Sequence, residues 1–425
     1  MGNRATKMKK TSSSSSSSSS QRHHFSPSSP LSPSSSFSPS SNDDLNTTVT
    51  IGNEYEEHFN WFGIVKGRDN CFYCLPFNAR QILKIDPSND ETTLVGDKYD
   101  GGWKWKNGFA HKDFIYGIPY DANKFLKYNI KTESSELVGD DFGDNFSTRW
   151  MSGAVANDGC LYCFPLMRTR IVKFNPNDDT TIFVGDEIEG DYKFSGTIKA
   201  KNGYLYGIPF EANRVAKFNV ATQTVTFIGN DYEGGAKWMG GVEGMDDNIY
   251  GVPYEHDKWL KIDIATETTS LVGDASSKYK NCKYNGGVIG EDCNVYTVPN
   301  RARKVAKFNT TTQVMSAVGD RYDGNYKWSG GVLHSNGYIY CAPLSNNKVL
   351  KIKTNHIRDE GNNLLESNAS LTELDKYINS YQFEYIYATH RTFYDRLVSY
   401  RNNLIVEIAK LSLDSLARSR ESNDE

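Results

Sequence analysis

Between residues 47 and 354 the chain alternates apolar and polar positions in short runs broken by turn residues. One such run is Tyr338-Ile339-Tyr340-Cys341-Ala342-Pro343, followed after a polar loop by Lys348-Val349-Leu350-Lys351-Ile352. A period of two over five or six residues predicts strands, not helices. The runs themselves repeat. Tyr73, Tyr116, Tyr162, Tyr206, Tyr250, Tyr296 and Tyr340 are each followed three residues later by Pro and eleven residues later by Lys, at a spacing of 43 to 46 residues. One supersecondary unit is therefore built seven times.

The seventh unit opens on Trp328-Ser329-Gly330-Gly331-Val332. It turns at a pair such as Asn336-Gly337, a hairpin signal, and resumes as the Tyr strand. Pro lacks an N–H for the ladder, so it marks the end of that second strand. The Lys strand comes third, and a Thr-rich run ending in Val-Gly-Asp, as at Val318-Gly319-Asp320, comes fourth. Four short strands per unit predict an all-β, seven-bladed β-propeller. The last unit has no Val-Gly-Asp run. Thr47-Thr48-Val49-Thr50-Ile51-Gly52-Asn53 carries the missing pattern, nine residues before Trp61, and is expected to complete the last blade and close the ring.

The segment Asn202-Gly203-Tyr204-Leu205-Tyr206-Gly207-Ile208-Pro209, with Asn213-Arg214-Val215-Ala216-Lys217-Phe218, resembles the repeats of NHL and YVTN-type propellers. The chain departs from them in placing Pro after the Tyr strand. The resemblance implies the propeller fold and brings no catalytic residue with it.

Composition divides the rest. Residues 1–46 are Ser/Pro-rich, with a nine-Ser run at Ser12–Ser20, and are expected to stay disordered because they offer little apolar surface to bury. Residues 355–369 read as a polar linker and 370–420 as a helical extension, opening with the capping box Ser370 to Glu373. That extension reads as one helix or a hairpin, packed on the propeller or pairing with another copy. The net charge is −4, but residues 1–42 hold five basic residues and no acid, leaving 43–425 at −9. An acidic body argues against nucleic acid as a partner. Seven scattered cysteines, no apolar leader and no transmembrane run point to a cytoplasmic protein.

Candidate chemistry lies where the repeat does not explain a residue. The recurrent Lys reads either as a ring that binds an anion or as a stem lying on the Tyr with its head paired to an acid. Cys71-Phe72-Tyr73-Cys74 and Cys160-Leu161-Tyr162-Cys163 have zinc spacing, yet residues three apart on a strand face opposite ways. No metal or cofactor is therefore expected, and the histidines His58, His111, His256 and His334 assemble no catalytic set. The loops linking blades are acidic and aromatic, as at Asp97-Lys98-Tyr99-Asp100 and Asp320-Arg321-Tyr322-Asp323. Arg168 and Arg170 in the third repeat and Arg301, Arg303 and Lys304 in the sixth, with Lys278 and Lys280 beside them, break that pattern and are candidates for docking an acidic peptide or phosphate.

Met1-Gly2-Asn3-Arg4-Ala5-Thr6 matches a myristoylation signature at Gly2, with Arg4, Lys7, Lys9 and Lys10 as a second signal for an anionic membrane surface. The acid-free, Ser-rich start also fits an organelle transit peptide. Taken together these features predict a non-catalytic protein-interaction scaffold, peripherally attached to a membrane. The alternative is a propeller enzyme or carbohydrate-binding module using the acidic, aromatic loops at the channel mouth.

Overall fold

The computed structural model describes residues 47–56, 59–143, 148–276 and 282–354. Gly2, His58, Lys278, Lys280, the linker and the 370–420 extension all lie outside these residues. Twenty-eight strands form seven four-stranded antiparallel sheets, one for each repeat. The blades span 61–95, 105–138, 154–184, 194–228, 238–272 and 284–318. The seventh joins 328–353 to Thr48–Ile51.

Radial position follows from the residue pattern. In blade 1 the first three strands, Trp61–Lys66, Phe72–Pro76 and Ile82–Asp86, are buried almost throughout. The fourth, Glu91–Val95, alternates exposed and buried residues as the outer edge of the sheet. Every second strand ends at its Pro except in blade 3, where Leu161–Cys163 is shorter and Pro165 makes an isolated bridge with Trp150. Beside each Tyr the blades leave room only for a small side chain. A Cβ on Gly117, for example, would lie 3.1 Å from both Leu75 and Trp105.

In blade 7 the strand Thr48–Ile51 pairs antiparallel with Val349–Lys353, Thr48 opposite Ile352 and Ile51 opposite Val349. The Thr48 hydroxyl accepts from the Asp320 amide at 2.8 Å and the Tyr322 hydroxyl at 3.1 Å. Thr92 does the same for Asn53 and Tyr55, and Thr269 for Asn230 and Tyr232. Seven of the eight core clusters among the described residues are each shared by two neighbouring blades. Blades 7 and 1 meet through Trp61, Phe72 and Leu83 against Tyr340, Ala342 and Val349, so the ring is closed by the same packing that joins its other blades.

Antiparallel connectivity sorts the loops onto two faces. Turns between strands 1 and 2, and between 3 and 4, share the hairpin face. Loops between strands 2 and 3 share the link face with the connections from one blade to the next.

Candidate functional site

The link face carries three concentric sets of residues at the mouth of the central channel. The outermost are the last residues of the links, two before each opening aromatic: Phe59, Trp103, Thr148, Tyr192, Ala236, Cys282 and Tyr326. All seven have left-handed backbone, with φ between 45° and 57°. That conformation suits Gly or Asn and is costly for bulky side chains. Even so, Trp103 is 51 % exposed and Tyr192 40 %. Phe59 packs on Tyr326 with ring centroids 5.1 Å apart, and Trp103 stacks on Phe77 at 5.7 Å.

The next residue in each link is a buried cation in six blades: Lys104, Arg149, Lys193, Lys237, Lys283 and Lys327. Their heads are held by backbone carbonyls of the surrounding loops. Lys104 Nζ donates to Phe77 at 3.2 Å and Gly101 at 2.6 Å, and Lys327 Nζ to Asn300 at 2.7 Å and Gly324 at 3.1 Å. Burial lowers both ammonium groups to about 8. These cations stitch each link to the loop of the preceding blade, a structural task.

Inside them lies an apolar cup built largely from the residues that follow the recurrent prolines: Phe77, Tyr120, Leu166, Phe210 and Leu344. Phe62, Met151 and Met239 complete it from the innermost strands. Below it the channel narrows to a cavity of about 150 Å³ walled by glycines of those strands. Gly63, Gly240, Gly286 and Gly330 have positive φ, and Asn107 takes that place in blade 2.

One charge intrudes. The residue after each opening aromatic is Phe62, Lys106, Met151, Ser195, Met239, Asn285 and Ser329 in turn. Lys106 is 5 % exposed, lines the cavity, and makes no hydrogen bond or salt bridge to any described residue. Its Nζ lies 4.0 Å from the centroid of Phe62 and 4.8 Å from that of Tyr120. Burial pushes the ammonium down to about 7, against the opposing pull of Asp121. Asp121 is itself raised by burial, although the Thr148 amide donates to it at 2.6 Å. Sequence reading overlooked Lys106, because its signal is a single Lys in a slot otherwise filled by apolar or small polar residues.

The hairpin face resolves the recurrent Tyr and Lys. They are directly opposite across strands 2 and 3, as Tyr73 is to Lys84. In blades 1, 3, 5 and 6 the acid comes from the blade's own hairpin: Asp69, Asp158, Asp246 and Asp292 pair with Lys84, Lys173, Lys261 and Lys307. The same acids accept from the Tyr hydroxyls at 2.7 to 2.9 Å. In blades 2, 4 and 7 that position is Lys112, Asn202 or Asn336, and the next blade supplies the acid instead. Asp179 meets Lys127, Glu267 meets Lys217 and Asp90 meets Lys351. The ring of Lys is thus neutralised within the scaffold, as the stem-on-Tyr reading expects.

Cys71 packs with Tyr73 and Tyr128 while Cys74 packs with Phe72 and Tyr340, so the two thiols sit in different interfaces. Cys160 and Cys163 divide in the same way. Burial pushes the Cys71 thiol up to about 11. No metal-binding cluster occurs among the described residues.

The basic candidates lie on the link face but in blades 3 and 6, which are not neighbours. Arg168 donates to the Phe142 carbonyl at 2.8 Å and Arg170 to that of Gly185 at 3.0 Å. Arg301 donates to the Tyr326 hydroxyl at 2.7 Å and lies over its ring, and Arg303 pairs with Asp323 at 2.8 Å. Lys304 is exposed. The structure therefore brings Lys106 and the aromatic mouth together but keeps the arginine groups apart.

No family model matches the chain, and no curated protein matches it in sequence. Solved structures do. A streptogramin B lyase is 15 % identical with a TM-score of 0.60, over 72 % of this chain and 97 % of that one. Virginiamycin B lyase from Staphylococcus aureus, as a catalytically inactive variant with quinupristin, is 14 % identical with a TM-score of 0.61, over 72 % and 99 %. Hydrazine synthase of Kuenenia stuttgartiensis is 12 % identical with a TM-score of 0.56, over 70 % and 96 %. At such identities the likeness concerns the fold alone: the chain is a seven-bladed β-propeller.

Proposed function

We propose that this protein is a non-catalytic binding module whose link face captures a protein or peptide partner at the channel mouth. The observation that carries this reading is the set of aromatic side chains held in left-handed backbone there. A bulky residue in that conformation costs about 1 kcal/mol or more, so Trp103 and Tyr192 are better explained by a contact than by folding. Exposed Trp and Tyr around a concave apolar centre are typical anchors for a partner. Exposed Asp100, Glu187, Glu189, Asp231 and Glu233 around them favour a partner with apolar and basic side chains. Arg170 and Lys304 offer separate contacts for acidic groups on opposite parts of the same face. Attachment to a membrane through Gly2, and self-association through 370–420, belong to the same reading as its means of placement.

Exposed Trp103 beside Asp100, and Tyr192 beside Asp191, also suit a sugar ring, which is the second reading.

Peptide and glycan arrays probed with the full chain and with Trp103→Asn/Tyr192→Asn test the reading, since Asn tolerates the backbone. Peptide binding that falls at least ~10-fold in the variant, a loss of ~1.4 kcal/mol, is expected. Equal binding by both proteins refutes the docking site, and saccharide binding with the same dependence transfers the site to the second reading.

A further inference from the structure

Lys106 differs from every other buried cation of the link face in having no carbonyl or carboxylate to hold it. Lys104, two residues earlier, has carbonyl partners. Lys106 instead enters the head of the channel, among Phe62, Tyr120, Met151 and Met239. An ammonium taken from water into such surroundings is costly unless something pairs with it. Two aromatic faces help the charged form but do not replace a counter-ion.

Two further polar groups at the same slot are also unsatisfied. Asn285 lines the cavity, is buried, and its side-chain amide makes no hydrogen bond to a described residue. The Ser329 hydroxyl is buried with no partner. Ser195, the equivalent residue in blade 4, does have partners: it donates to the Trp238 carbonyl at 2.8 Å and accepts from the Gly240 amide at 3.0 Å. Blades 2 and 6 therefore direct an ammonium and an amide into the cavity, while the Ser329 hydroxyl of blade 7 is buried outside its lining and the other members are satisfied or apolar. Buried polar groups left unmatched are uncommon enough to call for an explanation.

We propose that the cavity at the head of the central channel binds a carboxylate, held by Lys106 with Asn285 as a hydrogen-bond donor. One ammonium balances one monoanion, while the apolar cup opposes a dianion such as phosphate. A cavity of about 150 Å³ has room for a carboxylate on a short carbon chain or for the end of a longer one. The apolar cup above would receive the chain, so the ligand class is a small organic acid with an apolar tail. This site stands apart from the docking reading: a partner can bind the rim with Lys106 unoccupied.

The test uses the full-length protein, with acetate, butyrate and benzoate as probes, methyl acetate as the uncharged control and inorganic phosphate as the dianion. Calorimetric titration and protection of Lys106 from amine acylation, read by mass spectrometry, report occupancy. Binding should be present near pH 6 and weaken by roughly 10-fold or more by about pH 9, where the ammonium is lost. It should vanish in Lys106→Met, which places in blade 2 the residue that blades 3 and 5 already carry, and weaken in Asn285→Leu. Absence of carboxylate binding near pH 6, undiminished binding by Lys106→Met, or tighter binding of phosphate than of any carboxylate would each overturn the proposal. Array binding that survives Lys106→Met leaves the rim reading intact while this one is decided separately.

Discussion

On the hairpin face the left-handed non-glycine positions are occupied by Asn70, Asp90, Lys112, Glu133, Asp179, Gln223, Asp247, Glu267 and Gln313, with Cys293 the one residue that is not polar; on the link face the equivalent backbone carries Phe59, Trp103, Tyr192 and Tyr326 beside Thr148, Ala236 and Cys282. The first set is almost wholly polar and includes the Asn and Asp that turns favour, and Asp90, Asp179 and Glu267 also pair with a Lys of the preceding blade. The second set opposes the local preference of the backbone. Lysines divide along the same line. The recurrent lysines of the hairpin face meet acids, the buried ones of the links meet carbonyls, with Asp257 added at Lys283, and Lys106 meets neither among the described residues. One face is locally consistent and stabilises the ring, while the other departs from the local rules around a single channel, as functional sites commonly do.

The strongest way to break this comparison is at Lys106. Its folded-state value of about 7 lies below the ordinary 10.5, so between those limits the unfolded chain holds a proton that the folded protein has released. The resulting penalty is complete below about pH 7 and disappears as pH rises through 10.5. Lys106→Met should therefore raise stability by about 2–4 kcal/mol at neutral or lower pH, with the gain shrinking in alkali; chemical denaturation across pH measures it. A destabilised variant would mean that Lys106 supports the fold and that the two faces do not differ in kind.

A smaller effect is expected from Asp90→Asn, which removes the one acid paired with Lys351 among the described residues. The pair is partly exposed, so a loss of about 0.5–1.5 kcal/mol should appear in the same measurement. Glu133→Gln should change stability by less than about 0.3 kcal/mol, because Lys84 keeps Asp69 and approaches Glu133 only at 4.0 Å. Equal losses from the two substitutions would show that the hairpin-face charges act as a diffuse field and not as pairs. Trp103→Asn should also be mild for folding, within about 0.3 kcal/mol, because relief of backbone strain offsets lost stacking on Phe77.

The fold was legible because it is written seven times. The Tyr, Pro and Lys positions marked strands 2 and 3, and the glycine-to-tryptophan spacing pointed to 47–53 as a fourth strand. The site was harder to read. Charge in the loops drew attention to Arg301 and Arg303, which the folded chain ties to Tyr326 and Asp323. Lys106 sits within a strand beside Trp105, in a run that reads as ordinary blade. Only the closed ring shows that this slot faces the channel and that no partner reaches it. The left-handed backbone at Trp103 likewise leaves no trace in composition, because tryptophan is not a residue that announces a turn.

Acids borrowed from a neighbour also divide the ring into unequal seams. Ion pairs cross from blade 1 to 2, 2 to 3, 4 to 5 and 7 to 1. Between blades 3 and 4 and between 5 and 6 the corresponding residues are the uncharged Gln223 and Gln313. The blades share one plan but are not interchangeable modules: a circular permutant opened in the link at 186–192 would leave blades 3 and 4 with no such pair across their seam, while one opened in the link after Val138 would still have Lys127 and Asp179 joining blades 2 and 3 from the other face. Where this chain tolerates being opened is thus recorded in which of its blades keep their own acid and which depend on the next.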